Sequence, residues 1–427
     1  MSALIFRFLF IKKKEEKDFF FIFAPIKTTT MPQNRIYLCL AHMSEAGLEQ
    51  KYIQEAFDTN WVVPLGPNVD GFEKDLEAFL GNNKCVAALS SCTAALHLAL
   101  LQLGVVKDDE VLSQSFSFCA SSNPITYCGA RPVFVDSEKD TWNMDPELLE
   151  QAIKDRIEIT GRKPKAIIVV DLYGMPAKWD ELTQISQKYD IPIIEDAANA
   201  LGSYYDDKPC GIFGAMRTLS FNGNKIITTS GGGALVCDDV MTKQHTVFLA
   251  TQARENATYY QHETIGFNYR LSNVCAGIGR GQMTILNDHV RHHKHVHELY
   301  KNLLGDVDGI KAHDNPSNKF NSNFWLTTIT IDSSIKVKGQ ENLSMRYSDC
   351  EPNNNVEALR VILDQAGVEA RPLWKPMHKQ PVYKDAPAYV NGVSEGLFKV
   401  GMCLPSGPYV SDEDVHYIVK TIKSAID

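Results

Sequence analysis

From Cys85 to Glu195 the sequence passes repeatedly from a short apolar run to a longer segment of helical spacing and back. Strands are predicted at Cys85 to Leu89, Glu110 to Ser113, Pro132 to Asp136, Ala166 to Asp171 and Ile191 to Glu195. Helices fall between them near 93–104, 120–128, 146–154 and 178–189. A helix between successive strands leaves no room for hairpins and implies right-handed crossovers into a mostly parallel sheet covered on both faces. In such an α/β fold, ligands gather at the carboxyl ends of the strands.

The alternation stops past Gly266. A long helix, 286–304, carries His289, His293 and His297 at helical spacing on one face, which is expected to be a solvated face rather than a metal site. The rest suggests a smaller α+β unit: a strand at 323–331, a helix at 355–366, a strand at 369–371 and a closing helix at 412–426. Residues 341–354, polar and turn-rich, are expected to be a surface insertion. The expected division is an extension at 1–30, a large domain at 31–285 with an N-terminal helix, and a linker helix with a small domain at 286–427. The apolar runs 4–11 and 19–26 are each shorter than the ~20 residues of a spanning helix. They lack the order of a signal peptide, so residues 1–30 are expected to derive from a start assigned upstream of Met31.

With 43 basic and 52 acidic residues the net charge is -9, without the basic blocks that track a nucleic-acid backbone. The 10 cysteines are scattered, never as C-x-x-C. They are expected to be reduced, in a cytoplasmic protein.

Chemistry enters at Thr218 to Leu235, T-L-S-F-N-G-N-K-I-I-T-T-S-G-G-G-A-L. A strand, a tight polar turn and a glycine run would hold Lys225 by its backbone, and a desolvated lysine has a lowered pKa suited to attack on an aldehyde. Four more stretches fall at strand ends or helix starts. Ser90 to Ala95 offers helix N-terminal amides and the Thr93 hydroxyl to a phosphate. Gln114 to Ser121 offers an aromatic to a flat ring. Ile191 to Asn199 delivers Asp196, a carboxylate that needs a cation, and Gly266 to Ser272 caps a helix. A phosphate seat, a stacking aromatic, an acid for a ring nitrogen and a lysine for an aldehyde together describe pyridoxal phosphate. No metal is expected.

The set S-S-C-T-A-A-L-H-L-A-L, E-D-A-A-N-A-L-G, S-F-N-G-N-K, G-F-N-Y-R-L-S and R-P-L-W-K-P-M-H-K-Q-P resembles the DegT/DnrJ/EryC1/StrS sugar aminotransferases from about Ile36 to the C-terminus. The resemblance implies the aspartate-aminotransferase-like fold (pyridoxal phosphate fold type I), with a smaller α+β C-terminal domain. It makes Lys225 the lysine bonded to the cofactor aldehyde, Asp196 the partner of the pyridine nitrogen and Phe118 the stacking aromatic. The Cys92 amide, Thr93 and Ser220 match phosphate-binding groups. Asn268 matches an asparagine that reaches the phosphate of a neighbouring subunit, which implies a homodimer with shared sites. Arg371, Trp374, Lys375 and His378 lie in a motif that the family brings to the active-site mouth, as candidates for substrate contacts.

Asn199 stands where many members have Gln or His beside the ring hydroxyl, and Cys92 replaces a common Gly or Ala. Ser230-Gly231-Gly232-Gly233 departs from the usual G-E-G-G. The details look most like the subgroup acting on UDP-linked 4-keto-6-deoxy-N-acetylhexosamines, the bacillosamine-type transaminases, with glutamate as donor and 2-oxoglutarate as by-product. Alternatives are a 3-keto, GDP- or dTDP-linked sugar, a sugar dehydratase, whose histidine in place of the lysine is not found here, and a non-catalytic cofactor-binding regulator.

Overall fold

The computed structural model describes residues 35–81, 83–342 and 350–426, so the expected extension at 1–30 and residues 343–349 of the expected insertion at 341–354 lie outside the described residues. Eight strands form the central sheet in the order Cys85–Leu89, Gly233–Cys237, Met216–Ser220, Ile193–Asp196, Ala166–Val170, Glu110–Gln114, Arg131–Val135 and Ala388–Tyr389. All neighbouring pairs are parallel except the two made by Gly233–Cys237. Ala166–Val170 is buried throughout, as its A-I-I-V-V sequence requires of a strand covered on both faces. Ile168 and Ile194 pack into one apolar layer with the helix Cys92–Gln102; Ile167, Val169 and Ile193 pack into another with the helices Pro146–Thr160 and Trp179–Tyr189.

Toward the C-terminus, strands Ile310–Ala312, Thr327–Ile331, Gly401–Leu404 and Arg371–Pro372 form an antiparallel sheet. With helices Leu286–Leu304, Asn354–Gln365 and Asp412–Ala425 they enclose a core of their own that includes Ile329, Leu359, Met402 and Ile418. This part of the chain also returns to the large sheet, because Ala388–Tyr389 adds a parallel strand beside Phe134 and Val135. The helix Asn273–Met283 is pressed against two earlier helices, Leu48–Asp58 and Pro67–Leu80. A β-carbon at Gly279 would fall 2.7 Å from the Phe72 ring, and one at Gly281 2.7 Å from the Glu49 amide. No helix among the described residues is long and apolar enough to cross a membrane.

Three expectations change. The helix expected at 120–128 is a 3-10 turn, Cys119–Ser121, followed by a short helix, Asn123–Tyr127, because Pro124 cannot donate within a continuous helix and instead opens a new one. The strand expected from Asn323 begins at Thr327, since Asn323 is tied to the large domain by its side chain and Phe324 has φ of 49°. Finally, His289, His293 and His297 are buried, not solvated. His297 stacks on Phe324 with ring centroids 3.6 Å apart, His289 Nδ1 lies 2.8 Å from the Ile226 carbonyl, and burial holds the His293 pKa down at about 3. The helix turns that face inward against the Phe324 segment.

Candidate active site

Strands Ile193–Asp196 and Met216–Ser220 run parallel, and their carboxyl ends bring Asp196 and Ser220 to the edge of a cavity of about 960 Å3. Asp196 is only 3% exposed. Its Oδ2 accepts from Ser121 Oγ at 2.6 Å, and its Oδ1 accepts from the Ala198 amide at 3.1 Å and faces the Cys92 thiol at 3.8 Å. Burial raises its pKa, while Ser121, Ala198 and the nearby Lys225 pull it back down. A carboxylate so placed favours a cationic partner in the cavity.

After Ser220 the chain makes the turn in which the Lys225 amide donates to the Asn222 carbonyl at 3.0 Å. The Lys225 side chain is partly enclosed; its Nζ donates to Asn199 Oδ1 at 2.6 Å and lies 4.0 Å from the centre of the Trp325 ring. Loss of water lowers its pKa to about 8, against the opposing pull of Asp196, Cys92 and Cys39. At neutral pH this lysine therefore keeps a usable fraction of free amine.

Across the cavity the helix Cys92–Gln102 begins, capped by Ser91 Oγ, which accepts from the Ala94 amide. The first-turn amides of Cys92 and Thr93 have no carbonyl partner within the helix. A β-carbon at Gly233 would fall 2.3 Å from the Cys92 nitrogen, so glycine there lets the antiparallel strand close on this helix start. Thr93 and Ser220 also line the cavity. The arrangement suits an anion.

Phe118 is 54% exposed, unusual for a large aromatic, and presents its ring to the cavity beside Trp374, with centroids 5.5 Å apart. Trp374 is held in turn by its amide, which donates to the Tyr173 hydroxyl at 2.8 Å. Arg371, Trp374 and Lys375 line the mouth, where Arg371 pairs with Glu369 at 2.7 Å.

Two residues from the sequence lie elsewhere. His378 does not line the cavity: Ser115 Oγ sits 2.6 Å from its Nδ1 and Glu395 Oε1 3.2 Å from its Nε2, so both ring nitrogens face the protein. Asn268 is exposed, away from the cavity of its own chain. Conversely, Ser121 and Trp325 line the cavity, and Tyr173 holds Trp374 from behind it, yet none was singled out; Ser121 lies inside a stretch marked for its aromatic, whereas nothing local to Trp325 marks it.

Among the described residues, Asp171, Glu195 and Cys210 form the one group of donors close enough to share an ion, and they are buried on the far side of the strand from Asp196. Glu195 accepts from the Gly211 and Phe213 amides at 2.6 and 2.7 Å. Asp171 accepts from the Ala177 amide and the Trp179 indole at 2.8 and 3.1 Å. Burial raises both carboxyl pKa values, that of Asp171 to about 6, so the pair is best described as sharing a proton.

The sequence pattern of the DegT/DnrJ/EryC1/StrS aminotransferase family matches residues 44–423. EpsN of Bacillus subtilis (strain 168), whose name places it with pyridoxal phosphate-dependent aminotransferases, is 45% identical over 392 residues, spanning 91% of this chain and 95% of its own. GDP-perosamine synthase of Escherichia coli O157:H7 is 32% identical, spanning 90% and 98%. The crystal structure of a DegT DnrJ EryC1 StrS aminotransferase from Brucella abortus superposes with a TM-score of 0.79 at 28% identity, covering 89% of this chain and 95% of that one. The chain belongs to the DegT/DnrJ/EryC1/StrS aminotransferase family, whose enzymes use pyridoxal phosphate.

Proposed function

We propose that this protein transfers the amino group of L-glutamate to the keto group of a nucleotide-linked deoxy sugar, UDP-4-keto-6-deoxy-N-acetylglucosamine, releasing 2-oxoglutarate and an amino sugar for polysaccharide or glycan assembly. One observation carries this: a lysine amine with a pKa of about 8 shares a cavity with a buried carboxylate and a helix N-terminus. Bound pyridoxal phosphate supplies an aldehyde for amine exchange and a ring that accepts the electron pair left by a broken Cα–H bond. Its phosphate suits the Cys92 and Thr93 amides with the Thr93 and Ser220 hydroxyls, and its ring suits the face of Phe118, with Asn199 beside it. Asp196 suits the protonated ring nitrogen and keeps that proton in place.

Lys225 would hold the aldehyde through its amine, and its free amine would take the proton from the α-carbon of glutamate. Arg371, Trp374 and Lys375 are placed to meet carboxylate or diphosphate oxygens at the mouth. Asn268, exposed and off its own cavity, fits a role in the site of a second copy. The apolar side chains of Trp61, Val62, Val63 and Leu65, also exposed, suit a homodimer interface. Nucleotide sugars and reduced cysteines are consistent with a cytoplasmic enzyme.

The similarity to GDP-perosamine synthase favours a second reading, in which the sugar carries GDP. Mass spectrometry of purified protein with 15N-glutamate and UDP-, GDP- and dTDP-linked keto sugars decides among them. Label in the sugar establishes transamination, and the best acceptor names the nucleotide. Loss of water without label would overturn the proposal in favour of dehydration.

A further inference from the structure

A lysine that bonds to a cofactor must also have somewhere to rest when that bond is open. The Lys225 amine points between Asn199 Oδ1, at 2.6 Å, and the indole face of Trp325, 4.0 Å from its centre. Both neighbours are fixed by the same side chain. Asn323 Oδ1 accepts from the Trp325 amide at 2.8 Å, and its Nδ2 donates to the Asn199 carbonyl at 2.9 Å. The indole is pinned further by its Nε1, which donates to the Asn224 carbonyl at 2.6 Å, one residue before the lysine. Trp325 is 3% exposed, and the positive φ of Phe324 turns the chain so that the indole reaches this place.

We propose that Trp325 and Asn199 form a seat for the Lys225 amine when it is not bonded to the cofactor, and that Trp325 is the positioning residue that keeps the amine aimed into the cavity as a proton carrier. This rests on the reading of Lys225 as the cofactor lysine. The chemistry of the seat is specific to an amine that changes charge. An amide oxygen accepts from either the ammonium or the amine, and an aromatic face attracts the ammonium without fixing it by a salt bridge. A carboxylate at either position would hold the ammonium too firmly to give up its proton. The other groups acting on Lys225 are Asp196 from the end of its strand, Cys92 from the helix start and Cys39 from the N-terminal segment, each favouring the charged form. The seat accordingly works beside the carboxylate instead of replacing it.

The test is the titration of Lys225 in full-length protein stripped of cofactor, read by mass spectrometry of pH-dependent reductive methylation. Trp325→Leu keeps the site apolar but removes the ring, and should lower the midpoint by about half a unit to one unit. Trp325→Phe should restore it to within a few tenths of a unit. In the loaded enzyme, Trp325→Leu should lower kcat with little change in the KM for glutamate, because the seat acts on the lysine and not on substrate binding. A Trp325→Leu protein that titrates as wild type with unchanged kcat overturns the proposal. Should that variant fail to fold, Asn199→Ala takes its place: a lowered midpoint supports the seat and an unmoved one refutes it. Borohydride trapping of pyridoxal phosphate on a lysine other than Lys225 would instead refute the functional reading, leaving the titration of the seat to be judged separately.

Discussion

Glu195 and Asp196 are consecutive, lie on one strand and are both buried, yet their surroundings are opposite in kind. Glu195 faces Asp171 and Cys210 in a closed interior where backbone amides and a shared proton satisfy it. Asp196, on the other face, is held by Ser121 and Ala198 but also borders the cavity with Lys225. Burial raises the pKa of both. A perturbed carboxyl is therefore a poor mark of function taken alone; what separates these two is whether a ligand can reach the perturbed group.

The sharpest way to break this contrast is to neutralise each acid. Asp196→Asn should lower kcat/KM by about 10²–10⁴-fold with the fold retained, as expected for loss of an ionic partner in acid–base chemistry. Glu195→Gln should leave it within a few-fold. Next in size is a pH effect at the cavity. Uptake of pyridoxal phosphate by the stripped protein should rise about tenfold per unit up to about pH 8 and then level, as the Lys225 amine loses its proton. A flat profile over that range would show that the lysine is not desolvated. Removing one support of Asp196, by Ser121→Ala, should cost roughly tenfold in kcat, in line with one hydrogen bond to a charged group.

The last effect belongs to the closed side and is one of stability instead of rate. Because folding raises the carboxyl pKa values of Asp171 and Glu195, the native state binds more protons than the unfolded chain above the ordinary carboxylate range. Stability must then fall as pH rises from about 4 through the Asp171 value of about 6. Thermal unfolding of Glu195→Gln should show a flatter dependence over this range, at a cost of about 1–3 kcal/mol for the Gly211 or Phe213 amide left without an oxygen. Equal pH slopes for variant and wild type would mean that the pair shares no proton.

Much of the fold was legible because its signal is local. Alternating apolar runs and helical spacing marked the strands of the large sheet up to Ile193–Asp196, and Leu286–Leu304 has the bounds its spacing predicts. Where the signal is not local, it failed. Ala388–Tyr389 is a strand only because Arg131–Val135 lies beside it, and the histidine face of Leu286–Leu304 looked polar because nothing in its own sequence records that the Phe324 segment covers it. The site divides in the same way. Lys225, Asp196, Thr93 and Phe118 stand in motifs at strand ends or helix starts, whereas Trp325 reaches the lysine from a turn about a hundred residues later, through the side chain of Asn323.

The cavity draws its walls from segments as far apart in sequence as Leu38 and Cys403, and the large sheet takes its last strand from Ala388–Tyr389. During synthesis, then, the cavity stays incomplete until Cys403 has been made, well after the strands that carry Asp196 and Ser220. The edge of Arg131–Val135 must likewise wait, unpaired, for Ala388–Tyr389. A truncation before Ala388 would thus act as a defect of assembly, removing a strand of the large sheet and one wall of the cavity together.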